Sequence, residues 1–190
     1  MILSDRDIKK AFLQSRIIIT PKPDLKEQLG SCSVDLRLGD SFRIFDYSKN
    51  PYIDPSKKDY SNEITKVIKL KNGEKFIMQP GEFVLAVTLE KVKIAADLMG
   101  RLEGRSSLGR LWLVVHSTAS IFDQGWDGKH VLDLGNLGRM AISLTCGMRI
   151  CAMTFEELTS AADVPYVKKK QAKYVFQTGP DESKIHEEKR

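Results

Sequence analysis

The sequence predicts a mainly β fold, a sandwich, jelly roll or distorted barrel with a short N-terminal helix and minor helical turns. Three observations predict it. Val34, Leu36 and Leu38 alternate with Asp35 and Arg37, and Phe83, Leu85, Val87 and Leu89 repeat the pattern, the period at which strand side chains share a face. The turn dipeptides Asn72-Gly73 and Pro80-Gly81 separate such runs. Between Arg110 and Phe155 short apolar runs are broken at Asp123-Gln124-Gly125, Asp127-Gly128 and Cys146-Gly147, and no long helical period occurs. Many short strands joined by frequent turns give a β sandwich or barrel.

In chain order, the first element is a helix over SDRDIKKAFLQ. Ser4 is its N-cap, Asp7 holds the capping-box position, and Leu3 is placed to staple onto Ile8. Ile8, Ala11 and Phe12 then share a face. The strands around residues 34–38 and 83–89 follow, and then the broken runs up to Phe155. From Tyr166 onward the chain is polar and mostly basic with little to bury, so a frayed terminus is expected. Tyr166, Lys173, Tyr174 and Gln177 give that tail aromatic and amide anchors with which to fold over a charged ligand. There is no internal repeat and no low-complexity segment, and residues 1–190 fit one domain with a proper core.

Hydrophobic residues at 42% and charged residues at 29% describe a soluble globular protein, excluding collagen-like, disordered and membrane classes. No apolar run approaches the ~18 residues that cross a bilayer. MILSDRDIKK lacks the features of a secretory signal, so a cytoplasmic protein is expected. Cys32, Cys146 and Cys151 are too few and too scattered for a disulfide framework and read as reduced, structural thiols. The net charge of +5 suits a polyanionic partner, whether nucleic acid or a small phosphorylated molecule. Aromatics interleaved with a basic stripe, which a nucleic-acid surface would show, are missing. Neither a nucleic-acid nor a membrane partner is expected.

The stretch GRSSLGR, residues 104–110, has the glycine spacing of a phosphate loop but carries Arg110-Leu111 where that loop needs lysine and a hydroxyl for magnesium. An Arg-Ser-Ser segment bounded by glycines can still offer backbone amides, two hydroxyls and a guanidinium fork to phosphate oxygens. Magnesium would then ride on the phosphates and water.

Taken with SVDLRLG, VHSTASIFDQGWDG and PYVKKKQAKYVFQTG, this stretch makes four separated motifs in order. They resemble the dCTP deaminase family, a branch of the dUTPase-like superfamily, nearly end to end. The resemblance implies a dUTPase-like distorted barrel or jelly roll, a homotrimer with active sites at subunit interfaces, and hydrolytic deamination of dCTP to dUTP without zinc. The nucleotide partners implied are dCTP and dUTP, with dTTP a candidate inhibitor. Zinc deaminases carry H-x-E followed by P-C-x-x-C. Here His186-Glu187-Glu188 matches the first part but only two residues follow, and Cys146 and Cys151 have four residues between them rather than two.

The same resemblance assigns roles. Arg105, Ser106, Ser107, Leu108, Gly109 and Arg110 would bind the nucleotide, with Ser106 and Arg110 reaching the base and the carbonyl of Ala119 helping to position water. Asp123 would accept the sugar 3'-hydroxyl, Val131, Leu132 and Asp133 would bind the substrate with Asp133 activating the water, and Tyr166, Lys173 and Gln177 would hold the phosphates. Trp126 reads as packing, and Lys168, Lys169 and Lys170 as solvated. The tail, 166–190, is expected to order as an arm when nucleotide arrives, excluding water.

The main departure from the family is Asp133, which stands where the resemblance places glutamate. Aspartate keeps the general-base chemistry but draws the carboxylate back by roughly 1 Å, a shift that can cost about 10²-fold in rate. Ser120-Ile121 leans towards relatives that also cleave the triphosphate to dUMP and pyrophosphate, whereas Ala152 and the long tail lean towards deamination alone, which is the expectation. A dUTP diphosphatase and a non-catalytic nucleotide-binding regulator are the other readings.

Overall fold

The computed structural model describes residues 1–48, 52–55 and 64–187. Its first helix, α1 (Asp5–Leu13), starts where predicted. The Ser4 hydroxyl accepts from the Asp7 amide at 3.3 Å and donates to the Asp7 carboxylate at 2.8 Å, and Leu3, Ile8 and Ala11 go into the core. There follow β1 (Ile17–Thr20), α2 (Leu25–Gln28), β2 (Ser33–Phe45), β3 (Thr65–Lys69), β4 (Lys75–Met78), β5 (Phe83–Ile94) and β6 (Leu98–Gly104). A single helical turn, α3 (Ser106–Gly109), leads to β7 (Leu113–Val114), β8 (Ile121–Phe122), β9 (Asp127–Asn136), β10 (Ile142–Thr145) and β11 (Arg149–Glu157). Two 3₁₀ turns lie in the tail at Tyr166–Lys168 and Ile185–Glu187.

Among the described residues nine strands form one antiparallel sheet in the order β7-β9-β5-β2-β11-β6-β8, with β1 added to β5 and β3 to β2. The sheet curls into a half-barrel, and β4 and β10 pair as a separate ribbon. Both predicted alternations fall on the longest strands. Along β2, Val34, Leu36 and Leu38 are fully buried while Asp35 and Arg37 are not. The predicted turns appear as Gly73 and Gly81, at φ +84° and +74°, left-handed values that glycine adopts without steric cost.

β2 changes partners midway, running against β11 at its start and against β3 at its end. Its register against β5 slips between Leu38 and Phe42. Gly39 sits at that bulge, where a β-carbon would lie 2.7 Å from the Val87 carbonyl, so the close approach of the two strands excludes any side chain. One apolar cluster fills the interior. Phe42 stacks on Phe76 at 4.5 Å and so fastens the ribbon to the sheet. Glu90 is fully buried and is held by the Arg37 Nε at 2.6 Å, the Arg37 amide at 2.8 Å and Gln28 at 3.2 Å, the multiple partnering that a carboxylate needs in such a place.

β9 alternates too. Asp127, Gly128, His130, Leu132, Leu134 and Asn136 are buried, while Val131 and Asp133 are half-buried on the other face. His130 is enclosed with its ring 4.0 Å from Phe122 and 5.7 Å from Trp126, and neither ring nitrogen has a hydrogen-bond partner. Burial pushes its imidazole down to about 3. Between that value and the unfolded value near 6.5 only the unfolded chain takes up the proton, so stability falls as pH drops through this window. The expected loss between pH 7 and pH 5 is about 2 kcal/mol. Urea unfolding of the parent and of His130→Phe at the two pH values checks it, the parent losing more stability than the variant.

Candidate active site

A cavity of about 730 Å³ opens on the polar face of β9, between that strand, the segment from Thr118 to Trp126 and the tail. Asp133 and Val131 form its floor with Leu85, the cross-strand partner of Asp133 on β5. Phe45, Phe83, Phe122, Trp126, Tyr166 and Tyr174 give it aromatic walls. A flat heterocycle fits such walls through ring-face contact.

Asp133 is the group with chemistry on that floor. The Ser117 amide points at its carboxylate from 3.5 Å. Burial raises its carboxyl above the ordinary aspartate range, against the opposing effects of the Ser117 amide and the nearby His116. A partly desolvated carboxylate is a stronger base than a solvated one. His116 and Ser117 had no role in the reading of the sequence, although both lie inside the VHSTASIFDQGWDG motif. The Nδ1 of His116 is buried without a partner.

Asp123 stands at the cavity's edge, where the Lys169 ammonium meets its Oδ2 at 2.8 Å. Lys169, read from sequence as a solvated lysine, is instead an ion-pair partner of the predicted sugar ligand. Both residues, with Tyr166, line a second, adjoining hollow of about 500 Å³.

The tail is packed against the barrel. Its amides and carbonyls extend the hydrogen bonding of the barrel, with Tyr166 N to Gln124 O at 2.9 Å, Phe176 N to Asp127 O at 3.0 Å and Lys129 N to Gln177 O at 2.8 Å. Gln177 adds a side-chain bond to the Lys129 carbonyl at 3.2 Å. The segment satisfies its backbone on the start of β9. The cavity is roofed by Asp181, Glu182 and Ser183.

Of the predicted site residues, Ala119, Asp123, Val131, Asp133, Tyr166 and Gln177 line this cavity. Leu132 points the other way, fully buried in the core, and has only its main chain to offer a ligand. Lys173 is outside the lining, and its carbonyl accepts from Lys184 at 2.9 Å. Arg105, Ser106, Ser107, Leu108, Gly109 and Arg110 are all elsewhere. The expected loop there is a turn of helix, closed by Gly109 N to Arg105 O and Arg110 N to Ser106 O, each 3.0 Å. Arg105 pairs with Asp35 at 3.3 Å and donates to the Arg149 carbonyl at 3.1 Å.

The cavity's charge is therefore one-sided. Asp123, Asp133, Asp181 and Glu182 line it, and no lysine or arginine is among the described residues that do so. Next to Arg110, Leu111 and Trp112 are exposed, and so are Leu137 and Met140. Leu137 N bonds to Trp112 O at 3.0 Å, which puts these apolar side chains on one edge. Of the cysteines, Cys151 is fully buried and burial pushes its thiol far up, Cys146 is half-buried, and Cys32 is exposed. Among the described residues no three His, Cys, Asp or Glu side chains are grouped to hold a metal ion. The His186-Glu187-Glu188 motif ends outside the described residues. No described helix is long and apolar enough to cross a membrane.

Residues 2–158 match the family model described as dCTP deaminase-like. The chain is 52% identical over 188 residues to the dCTP deaminase of Thermomicrobium roseum, covering 99% of this chain and 95% of that one. It is 46% identical over 186 residues to the "dCTP deaminase, dUMP-forming" of Dictyoglomus turgidum, covering 98% and 95%. The crystal structure of 2'-deoxycytidine 5'-triphosphate deaminase from Agrobacterium tumefaciens superposes with a TM-score of 0.64 at 20% identity, over 83% of this chain and 48% of that one. At that identity the likeness is one of fold, and it agrees with the mainly β, dUTPase-like architecture predicted.

Proposed function

The chain belongs to the dCTP deaminase family, and from that premise we propose that it hydrolyses dCTP to dUTP and ammonia, with Asp133 as the general base. The observation that carries this reading is the half-buried carboxyl of Asp133 on the floor of an aromatic cavity. The ring packs between the aromatic walls with C4 over the floor. Asp133 takes a proton from a water that attacks C4, giving a tetrahedral centre. It passes that proton to ring N3, then takes the proton of the new C4 hydroxyl and gives it to the amino group, so that ammonia leaves and the C4 carbonyl and N3–H of uracil form. His116 and the Ser117 amide hold the carboxylate while this happens. Asp123 accepts the sugar 3'-hydroxyl and releases Lys169 in doing so.

A triphosphate needs cations, and among the described residues the cavity's own lining supplies none. We assign the cations to Arg105 and Arg110, and neutral hydroxyl donors to Ser106 and Ser107, of a neighbouring copy in a homotrimer. The exposed edge of Leu111, Trp112, Leu137 and Met140 beside Arg110 supports this, since such a patch marks an interface. Arg110 of the neighbour then steadies the charge on the tetrahedral centre. Magnesium would be carried by the phosphates. The carboxylates near the cavity are the hard oxygen donors it takes, but Asp123 and Glu182 are engaged by Lys169 and Arg43 and no three acidic groups cluster among the described residues. That suits an ion held by phosphate oxygens and water, screening the phosphate charge.

Triphosphate cleavage to dUMP is the second reading, favoured by the relative named dUMP-forming at 46% identity. Incubation with dCTP and magnesium, with ammonia and pyrophosphate measured together, separates the two. Ammonia without pyrophosphate is the expected result. Equal release of both establishes the dUMP-forming reaction, and release of neither refutes catalysis.

A further inference from the structure

Arg43 lies on β2 opposite Leu85, and Leu85 lies opposite Asp133. The three therefore form one row across three adjacent strands, with side chains on the same face, and Arg43 is about 10 Å from Asp133 by strand spacing. Arg43 itself is not part of the cavity lining. Its side chain is only 15% exposed, and it makes three polar contacts. Nε donates to the Pro180 carbonyl at 2.8 Å, Nη1 donates to Thr65 Oγ1 at 2.8 Å, and Nη1 meets the Glu182 carboxylate at 2.5 Å.

Two of these partners belong to the tail segment that roofs the cavity. The far end of the same segment is pinned separately, with the Lys184 amide donating to the Tyr174 hydroxyl at 3.0 Å and Lys184 Nζ to the Lys173 carbonyl at 2.9 Å. Asp181, Glu182 and Ser183 are strung between the two fastenings, over the face that carries Asp133. Arg43 is the point at which the strap is tied to β2, through the Pro180 carbonyl and the Glu182 carboxylate.

We propose that Arg43 is a positioning residue for the reaction: it clasps the strap 180–183 through the Pro180 carbonyl and the Glu182 carboxylate, and so sets how tightly the cavity closes over its substrate. Two charge-assisted bonds of this kind shift a local opening equilibrium by roughly 10- to 100-fold. The clasp rests on the deaminase reading for its role, but its existence can be tested in the protein alone.

Hydrogen exchange is measured on the full chain for the parent, Arg43→Gln, Glu182→Gln and the double variant, alongside KM and kcat for dCTP. The expected result is at least tenfold faster exchange at 181–184 in each single variant, with the barrel strands unchanged. The double variant should be little faster than either single one. KM for dCTP should rise about tenfold in Arg43→Gln and less in Arg43→Lys, with kcat changed less than KM. Unchanged exchange at 181–184, a rise spread evenly over the barrel, or an unaltered KM would each overturn the proposal. A parent that releases no ammonia from dCTP yet shows the local exchange difference would refute the deaminase reading and leave the clasp standing.

Discussion

Asp133→Asn is expected to slow ammonia release from dCTP by roughly 10³-fold, because the amide keeps the shape of the side chain and removes its basicity. The same substitution should make the folded chain more stable at neutral pH. Burial raises the Asp133 carboxyl, so the fold favours its protonated form. The stability this gives is present below the ordinary aspartate value and is lost as pH rises through the raised one. At neutral pH the parent therefore holds an ionised group that the fold disfavours, and the amide relieves it. Loss of turnover together with a higher melting temperature marks a functional carboxylate. Loss of both would mark a structural one. The raised value also sets the acid side of the pH profile: turnover in the parent should fall as pH drops through a point above the usual ~4 of a solvated aspartate. Asp133→Glu tests reach rather than basicity. If the shorter side chain stands back from the attacking water, glutamate should raise kcat, by up to about 10²-fold. An equal or lower rate would show that β9 already brings the aspartate to its working distance.

How much of this could be read from the chain itself follows from the range of the interactions involved. The capping box of Ser4 and Asp7 spans three residues, and the turns at Gly73 and Gly81 are local, so both could be read directly. The alternation in β2 and in β9 gives the face of each side chain. What it does not give is the element that covers that face. The family resemblance named Asp133 as a base, while nothing in the sequence named the contact that clasps the tail: Arg43 and Pro180 are 137 residues apart in the chain. Lys169 illustrates the same limit. In a run of three lysines nothing local distinguishes the one that meets Asp123, 46 residues earlier. Leu132 shows a limit of another kind. A motif names consecutive residues, but on a strand alternate ones point to opposite faces, and Leu132 belongs to the core.

The Arg-Ser-Ser motif gives the second large effect. Read along the sequence it belongs with Asp133, yet in the folded chain Arg105 is tied to Asp35 and none of residues 105–110 reaches the cavity. Arg110→Gln should therefore lose activity by roughly 10²- to 10³-fold, by removing a cation aimed at developing charge, and it should do so from another chain. The decisive measurement mixes subunits. Asp133→Asn and Arg110→Gln are each nearly inactive alone. Assembled together in equal amounts, about one site in four would join an intact Asp133 from one copy to an intact Arg110 from the next, and ammonia release should recover to about a quarter of the parent level. A site built within one chain could not recover at all, since every chain in the mixture would carry one of the two lesions. Recovery should also need assembly. Charged substitutions at Trp112 or Leu137, on the exposed edge beside Arg110, should prevent both the oligomer and the regained activity, while leaving the aromatic cavity of each chain intact. Failure of the mixed subunits to recover, with the oligomer still formed, would mean that the cations reach the phosphates by movement within one chain, and the shared site would have to be abandoned.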